Sequence, residues 1–192
     1  MRRLIYLVAT SLDGYIAGPD GVIDAFPVQG DHIDYLFREL PETLPTPVLA
    51  AAGVPATTST FDTVVMGWGT YDLGFRVGLT SPYAHLRQYV FRRSLGGPAS
   101  PHDVSITGEP PCDVVRRLKA EPSTRDIWLC GGGRLAAALA PEIDQLVLKV
   151  NPILLGAGIR VFESDAYRPR AFRLGASRTF TSGVMMNTYE RV

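Results

Sequence analysis

Along the chain, apolar and polar positions fall into short runs separated by glycine, proline and aspartate. Arg3-Leu-Ile-Tyr-Leu-Val-Ala9 is almost wholly apolar, the pattern of a strand covered on both faces, and predicts a central strand. Thr10 to Gly21 loses that pattern through Gly14, Gly18, Pro19, Asp20 and Gly21, which predicts a long surface loop able to serve as a lid. In Asp31-His-Ile-Asp-Tyr-Leu-Phe-Arg-Glu-Leu40, Ile33, Leu36, Phe37 and Leu40 share one helical face. Asp31 suits the N-cap there and Pro41 the stop. Pro41 to Thr60 is rich in Pro, Ala and Thr, and its Val48 to Ala52 core reads equally as a helix turn or as packed loop, which leaves the stretch unassigned.

From Thr63 the runs become regular. Thr63-Val-Val-Met66 reads as a strand, Gly67-Trp-Gly69 as a glycine turn and Thr70 to Leu73 as a helix. Gln88-Tyr-Val-Phe91 reads as a strand that runs out into Arg92-Arg-Ser94, and Asp103 to Ile106 as a short strand. Cys112 to Ala120 fits a helix stopped by Pro122. Asp126 to Cys130, Gly131-Gly-Gly133 and Arg134 to Ala140 repeat the unit of strand, glycine turn and helix. Gln145 to Val150 is a further strand, and Arg170 to Arg178 with Gly183 to Arg191 reads as an antiparallel hairpin. Alternating strands and helices imply parallel pairing, and a closing pair without a helix implies antiparallel edges. The predicted fold class is α/β, with a mixed, mostly parallel sheet, helices on both faces and antiparallel C-terminal strands.

The 192 residues sit at the upper edge of one ordinary domain and carry no internal linker or repeat, so residues 1–192 are expected to form a single domain. Nineteen Lys and Arg balance nineteen Asp and Glu. That balance removes the electrostatic footprint of a nucleic-acid or anionic-membrane binder. The apolar run from Leu4 to Ala9 is too short to span a bilayer or to form a signal peptide's core, which points to the cytoplasm. Cys112 and Cys130 form no CxxC, and His32, His85 and His102 are scattered, so neither a structural nor a catalytic metal is expected.

The candidate chemistry lies in the glycine turns. At Ile127-Trp-Leu-Cys-Gly-Gly-Gly-Arg-Leu135, glycines let a ligand approach the backbone, and the amides opening the next helix suit a phosphate. A tight turn that needs glycine for its dihedrals reads the same way. The spacing matches neither G-x-G-x-x-G nor G-x-x-x-x-G-K-[ST]. Met66-Gly-Trp-Gly-Thr-Tyr71 offers a second such turn, and two off one sheet favour a dinucleotide. Arg92, Arg93 and Ser94 follow a strand at the edge where open α/β sheets bind ligands. They match a 2′-phosphate if they are more than solvated surface groups.

Ser11-Leu-Asp-Gly-Tyr-Ile-Ala17, Val65-Met-Gly-Trp-Gly-Thr-Tyr-Asp72, Leu129-Cys-Gly-Gly-Gly-Arg-Leu135, Ile143-Asp-Gln-Leu-Val-Leu148 and Asn151-Pro-Ile-Leu-Leu-Gly156 together resemble the dihydrofolate reductase-like family. Within it the chain is most similar to the C-terminal reductase domain of bacterial riboflavin biosynthesis proteins, in order and over essentially its whole length. The resemblance implies a three-layer α/β/α fold, NADPH as cofactor and a small heterocyclic or ribityl-type substrate. It puts Ala9 and Ile16 beside the nicotinamide and counts Asp13 among the cofactor-binding residues, although an Asp-Gly pair equally builds a turn without touching a ligand. Gly67, Trp68, Gly69 and Thr70 with Arg92, Arg93 and Ser94 would hold the adenosine phosphate end, and Gly131, Gly132, Gly133, Arg134 and Leu135 the pyrophosphate. It also implies a cis Gly131–Gly132 peptide and a homodimer through the last strands, where Phe180, Val184, Met185, Met186 and Tyr189 are apolar. Those side chains equally suit packing under the domain's own helices.

Trp68 stands where such proteins often carry a basic residue, a charge that Arg92 and Arg93 are placed to supply. Hydride transfer to C=N or C=O also needs a proton source. Asp31 and Asp34 lie where folate reductases carry a carboxylate, though Asp31 equally suits a helix cap and Asp34 a solvated helix face. The rival reading is a noncatalytic nucleotide-binding or dimer-forming module that kept the fold.

Overall fold

The structure, a computed structural model, describes residues 1–93 and 103–192. Its strands are β1 (Leu4–Thr10), β2 (Tyr15–Ala17), β3 (Phe61–Gly67), β4 (Arg87–Phe91), β5 (Val104–Thr107), β6 (Asp126–Gly131), β7 (Gln145–Val150), β8 (Ile159–Arg160), β9 (Phe172–Thr179) and β10 (Met185–Arg191). Its helices are α1 (Asp31–Glu39), α2 (Thr46–Ala51), α3 (Trp68–Phe75), α4 (Pro111–Ala120) and α5 (Gly133–Leu139). Eight strands form one sheet in the order β5-β4-β3-β6-β1-β7-β10-β9, and β2 and β8 make a separate two-stranded ribbon. Pairing is parallel from β5 through to β7, and β10 and β9 join antiparallel. The expected mixed α/β sheet is therefore what the chain forms.

Alternation along each strand divides the core in two. On one face Leu4, Tyr6 and Val8 of β1 meet Ile127 and Leu129 of β6 and lie under α4 (Val114, Val115, Leu118) and α5 (Leu135, Ala136, Leu139). On the other, Ile5 of β1, Val64 and Met66 of β3 and Val147 of β7 lie under α1 (Leu36) and α3 (Tyr71). Phe180, Val184 and Met186 are buried in this second core, so most of the apolar surplus of the last strands packs inside the domain. Met185 remains partly exposed, and Tyr189 packs against the first core.

Three local expectations change. The lid loop contains a strand, β2, which pairs with β8 across most of the chain's length. The unassigned Pro41–Thr60 stretch holds a 3-10 turn (Pro41–Thr43) and α2. At α1 the N-cap is Gly30, with φ 119°, and not Asp31, which lies one residue inside the helix. The Asp31 carboxylate accepts instead from the amides of Thr181 (2.7 Å) and Ser182 (3.2 Å) in the β9–β10 turn.

Candidate functional site

Because β1, β3, β4 and β6 run parallel, their carboxyl ends share one edge of the sheet and the segments leaving them start side by side. Neither glycine segment is a free-standing turn. β3 runs to Gly67 and α3 opens at Trp68, while β6 runs to Gly131 and α5 opens at Gly133. Met66 pairs with Gly131, which brings the two junctions together. A Cβ placed on Gly67 would lie 3.7 Å from the Gly132 nitrogen and 3.8 Å from Leu135 Cβ. One on Gly132 would lie 3.5 Å from Thr70 Oγ1, and one on Gly131 3.7 Å from Thr70 Oγ1 and 4.0 Å from Ile16 Cδ1. Gly67, Thr70, Gly131, Gly132, Leu135 and Ile16 thus converge on one surface made largely of backbone. The Gly131–Gly132 peptide is cis, as the resemblance implied.

Gly133 has no room for a side chain, since its Cβ would fall 2.0 Å from the Arg160 carbonyl oxygen. Its own carbonyl accepts from the Glu163 amide at 3.1 Å. The β2–β8 ribbon, carrying Tyr15 opposite Arg160, therefore links the lid loop to the start of α5.

Arg92 lies over the Trp68 ring, 3.8 Å from its centroid, so a guanidinium stands where the sequence lacked a basic residue. Arg93 is exposed and borders a groove of about 720 Å³ with Arg134, Arg160, Glu163 and Asp165. Arg134 is exposed and pairs with Glu163 at 3.4 Å. Gly69 faces open space. Ser94 lies outside the described residues.

The carboxylates singled out from sequence are held elsewhere or exposed. Asp13 accepts from Ser11 Oγ (2.5 Å) and from the amides of Leu155 (3.2 Å) and Gly156 (2.7 Å), tying the lid loop to the segment after β7. These hydrogen bonds, Ser11's first, hold its carboxyl below the usual carboxylate range. Partial desolvation pushes the Asp31 carboxyl up, but the Thr181 and Ser182 amides outweigh it and bring the group down to about 2. Asp34 is exposed on α1. Among the described residues no three His, Cys, Asp or Glu side chains gather as metal ligands.

Two features escaped the sequence reading. The Tyr83 hydroxyl and Cys130 Sγ are 3.8 Å apart, one residue before the glycine cradle, and burial pushes the thiol up to about 11. Lys149 is half-buried in β7 directly beside Ala9 of β1. It was visible as the lone charge in Leu146-Val-Leu-Lys-Val150, but only the register shows what it adjoins.

A twice-covered, mostly parallel eight-stranded sheet with a glycine cradle at its carboxyl edge defines a dihydrofolate reductase-like α/β domain. The chain belongs to the RibD C-terminal domain family, which matches residues 2–186. It is 30% identical over 193 residues to the uncharacterized protein YwjB of Bacillus subtilis, covering 97% of each chain. It is 26% identical to the uncharacterized protein YyaP of the same organism, covering 98% of this chain and 94% of that one. Among solved structures it superposes on a putative riboflavin biosynthesis protein from Shewanella sp. PV-4, with TM-score 0.70, 23% identity and coverage of 100% and 99%. A diaminohydroxyphosphoribosylaminopyrimidine deaminase/5-amino-6-(5-phosphoribosylamino)uracil reductase from Thermotoga maritima gives TM-score 0.65 at 14% identity, with all of this chain covering 57% of that one. Dihydrofolate reductase from Enterococcus faecalis, complexed with NADP(H), gives 0.62 at 16% identity, covering 98% and 96%. These neighbours share the fold, and two of them are reductases by name.

Proposed function

We propose that the chain is an NADPH-dependent reductase of a small heterocyclic or ribityl-type substrate, in the manner of the riboflavin-pathway and folate reductases it resembles. The observation that carries this is the convergence of Gly67, Thr70, Gly131, Gly132 and Ile16 beside an arginine stacked on Trp68. The residues fit the cofactor. Backbone with no Cβ suits close approach by a pyrophosphate, and Arg92 and Arg93 are guanidiniums at the expected adenosine end. Gly131 to Leu135 would hold the pyrophosphate, Gly67 to Thr70 with Arg92 and Arg93 the 2′-phosphate, and Ala9 and Ile16 would border the nicotinamide, with Asp13 fixing the lid loop beside them through Ser11, Leu155 and Gly156. The bound cofactor would supply a hydride. The protein's part is to orient the acceptor on the α1 side of β1, exclude water under the lid loop and provide a proton.

Titration with NADPH and NADH, followed by cofactor fluorescence, tests this reading. Preference for NADPH is expected, and R92A/R93A together should erase it. Equal affinity for both cofactors in the native protein overturns the arginine assignment, and binding of neither overturns the reductase reading. Oxidation of NADPH by 5-amino-6-(5-phosphoribosylamino)uracil or dihydrofolate separates an enzyme from a noncatalytic nucleotide-binding module.

The reading takes residues 1–192 as one domain, supported by a sheet that draws strands from Leu4 to Arg191. It includes a homodimer through the β9 edge, supported by the exposure of β9 along nearly its whole length. It also places the protein in a reducing cytoplasm. Cys112 and Cys130, packed against opposite faces of the sheet, are not positioned to pair with each other.

A further inference from the structure

We propose that Lys149 is the proton donor of the reduction, an inference that rests on the reductase reading above and adds a residue to it. The register carries the argument. Lys149 pairs with Ala9 on one side and Met186 on the other. In β7, Leu146 faces the α4–α5 core and Val147 the α1–α3 core, so alternation sends Lys149 to the α1 side with Val147. In β1, Ile5 and Leu7 face that side, and Ala9 follows them. The ammonium therefore stands on the acceptor's side of the strand end expected to border the nicotinamide.

Its surroundings leave it available. Lys149 Nζ has no hydrogen-bond or ion-pair partner among the described residues, and burial alone holds its proton affinity below the lysine range. β1 offers no charged side chain on this face, and β10 offers Met186 and Thr188 there, with Glu190 further along bonded to Gln145. On α1, Asp31 is held by the β9–β10 turn, His32 lies between Ser182 Oγ (2.9 Å) and the Pro27 carbonyl (3.3 Å), and Asp34 is exposed. Arg38 pairs with Glu39, and Arg178 of β9 lies over Tyr35. Two residues beyond Lys149, Asn151 is fully buried and donates from Nδ2 to the carbonyls of Thr10 (3.1 Å) and Lys149 (3.0 Å). Its Oδ1 has no partner among the described residues. A half-buried ammonium with no partner among the described residues, set beside Ala9 at the carboxyl edge of the sheet, marks a place that a polar ligand completes.

In the step, the bound cofactor would supply a hydride that becomes a C–H bond at the acceptor carbon, and would itself be left oxidised. The C=N or C=O π pair moves to the heteroatom, which takes a proton from Nζ and leaves a neutral amine that solvent recharges. The carboxylates read from sequence serve less well, since Asp13 and Asp31 are acceptors of several hydrogen bonds each.

The chain has two lysines, and Lys119 is fastened to Asp144 at 2.6 Å, so lysine labelling gives one probe and one internal reference. With 13C-labelled lysine, the Lys149 signal should titrate below the ordinary lysine range. It should move lower in the NADP+ complex than in the NADPH complex, because the oxidised ring adds a like charge. K149M should bind NADPH within about twofold of the native protein and lose about 100-fold or more in kcat with whichever of the two acceptors above is reduced. K149R should fail equally, since a guanidinium does not surrender its proton. Native kcat should fall as pH rises through the Lys149 titration. If both cofactors bind and the Lys149 signal is indifferent to them, or K149M or K149R keeps native kcat, the proposal is overturned and the reductase reading stands. If neither cofactor binds, the reading fails first and takes the proposal with it.

Discussion

Arg2 is almost fully buried, and its guanidinium donates to Asp62, to Thr63 Oγ1 (2.9 Å), to Glu121 (3.1 Å) and to the Arg125 carbonyl (2.9 Å). One side chain thereby ties the entry of β1 to β3 and to the end of α4. Removing it leaves Asp62 without its cation and the buried Thr63 Oγ1 without that donor, so Arg2→Met should cost about 3 kcal/mol, read from urea unfolding. The glycines divide by space. Gly158 has φ 145° and a Cβ there would fall 2.0 Å from the Ala17 carbonyl oxygen, so Gly158→Ala should cost about 2–3 kcal/mol. Gly69 faces open space within α3, and Gly69→Ala should leave stability equal or higher by up to about 1 kcal/mol. Thermal melts of the two variants should move in opposite directions or differ by several degrees.

At the level of helices and strands, single polar contacts decide how the pieces meet. Asp31 joins the first turn of α1 to the β9–β10 turn, some 150 residues away in sequence. Its folded-state carboxyl lies at about 2, below the ordinary value of 3.8, so the contact's contribution is present above the unfolded value and is lost as pH falls from there through about 2. Asp31→Asn should remove that part of the acid dependence, measured as melting temperature between pH 5 and 2. The stacking of Arg92 on Trp68 makes a parallel point: α3 and the end of β4 form one cationic unit. Trp68→Ala should weaken NADPH binding more than NADH binding in the same fluorescence titration, because it releases the arginine expected at the 2′-phosphate.

The assembled sheet closes on one side with β5 and on the other with β9, an edge strand exposed on both faces for most of its eight residues. Exposed edges of this length favour a covering partner. Sedimentation velocity at micromolar concentration should give about twice the 20.9 kDa chain mass, and a lysine or proline introduced at Leu174 should shift it toward the monomer. A native monomer under those conditions removes the dimer from the proposed function.

The features legible in the sequence were those whose cause is local. β1, α1, α4 and β7 follow from runs and periods within ten residues, because a strand's alternation and a helix's face are set by neighbours along the chain. The glycine cradle was legible too, since backbone without Cβ is visible as composition. What the sequence could not assign depended on which distant residue arrives alongside. Asp31 read equally well as a cap or an acid until the hairpin amides reached it. β2 has no strand-like pattern, and it pairs because β8 returns to it. Lys149 is an ordinary charge in an apolar run until the parallel register sets it beside Ala9. Pairing partners and hydrogen-bond donors come from chain closure over a hundred residues or more, and only the tertiary structure decides them.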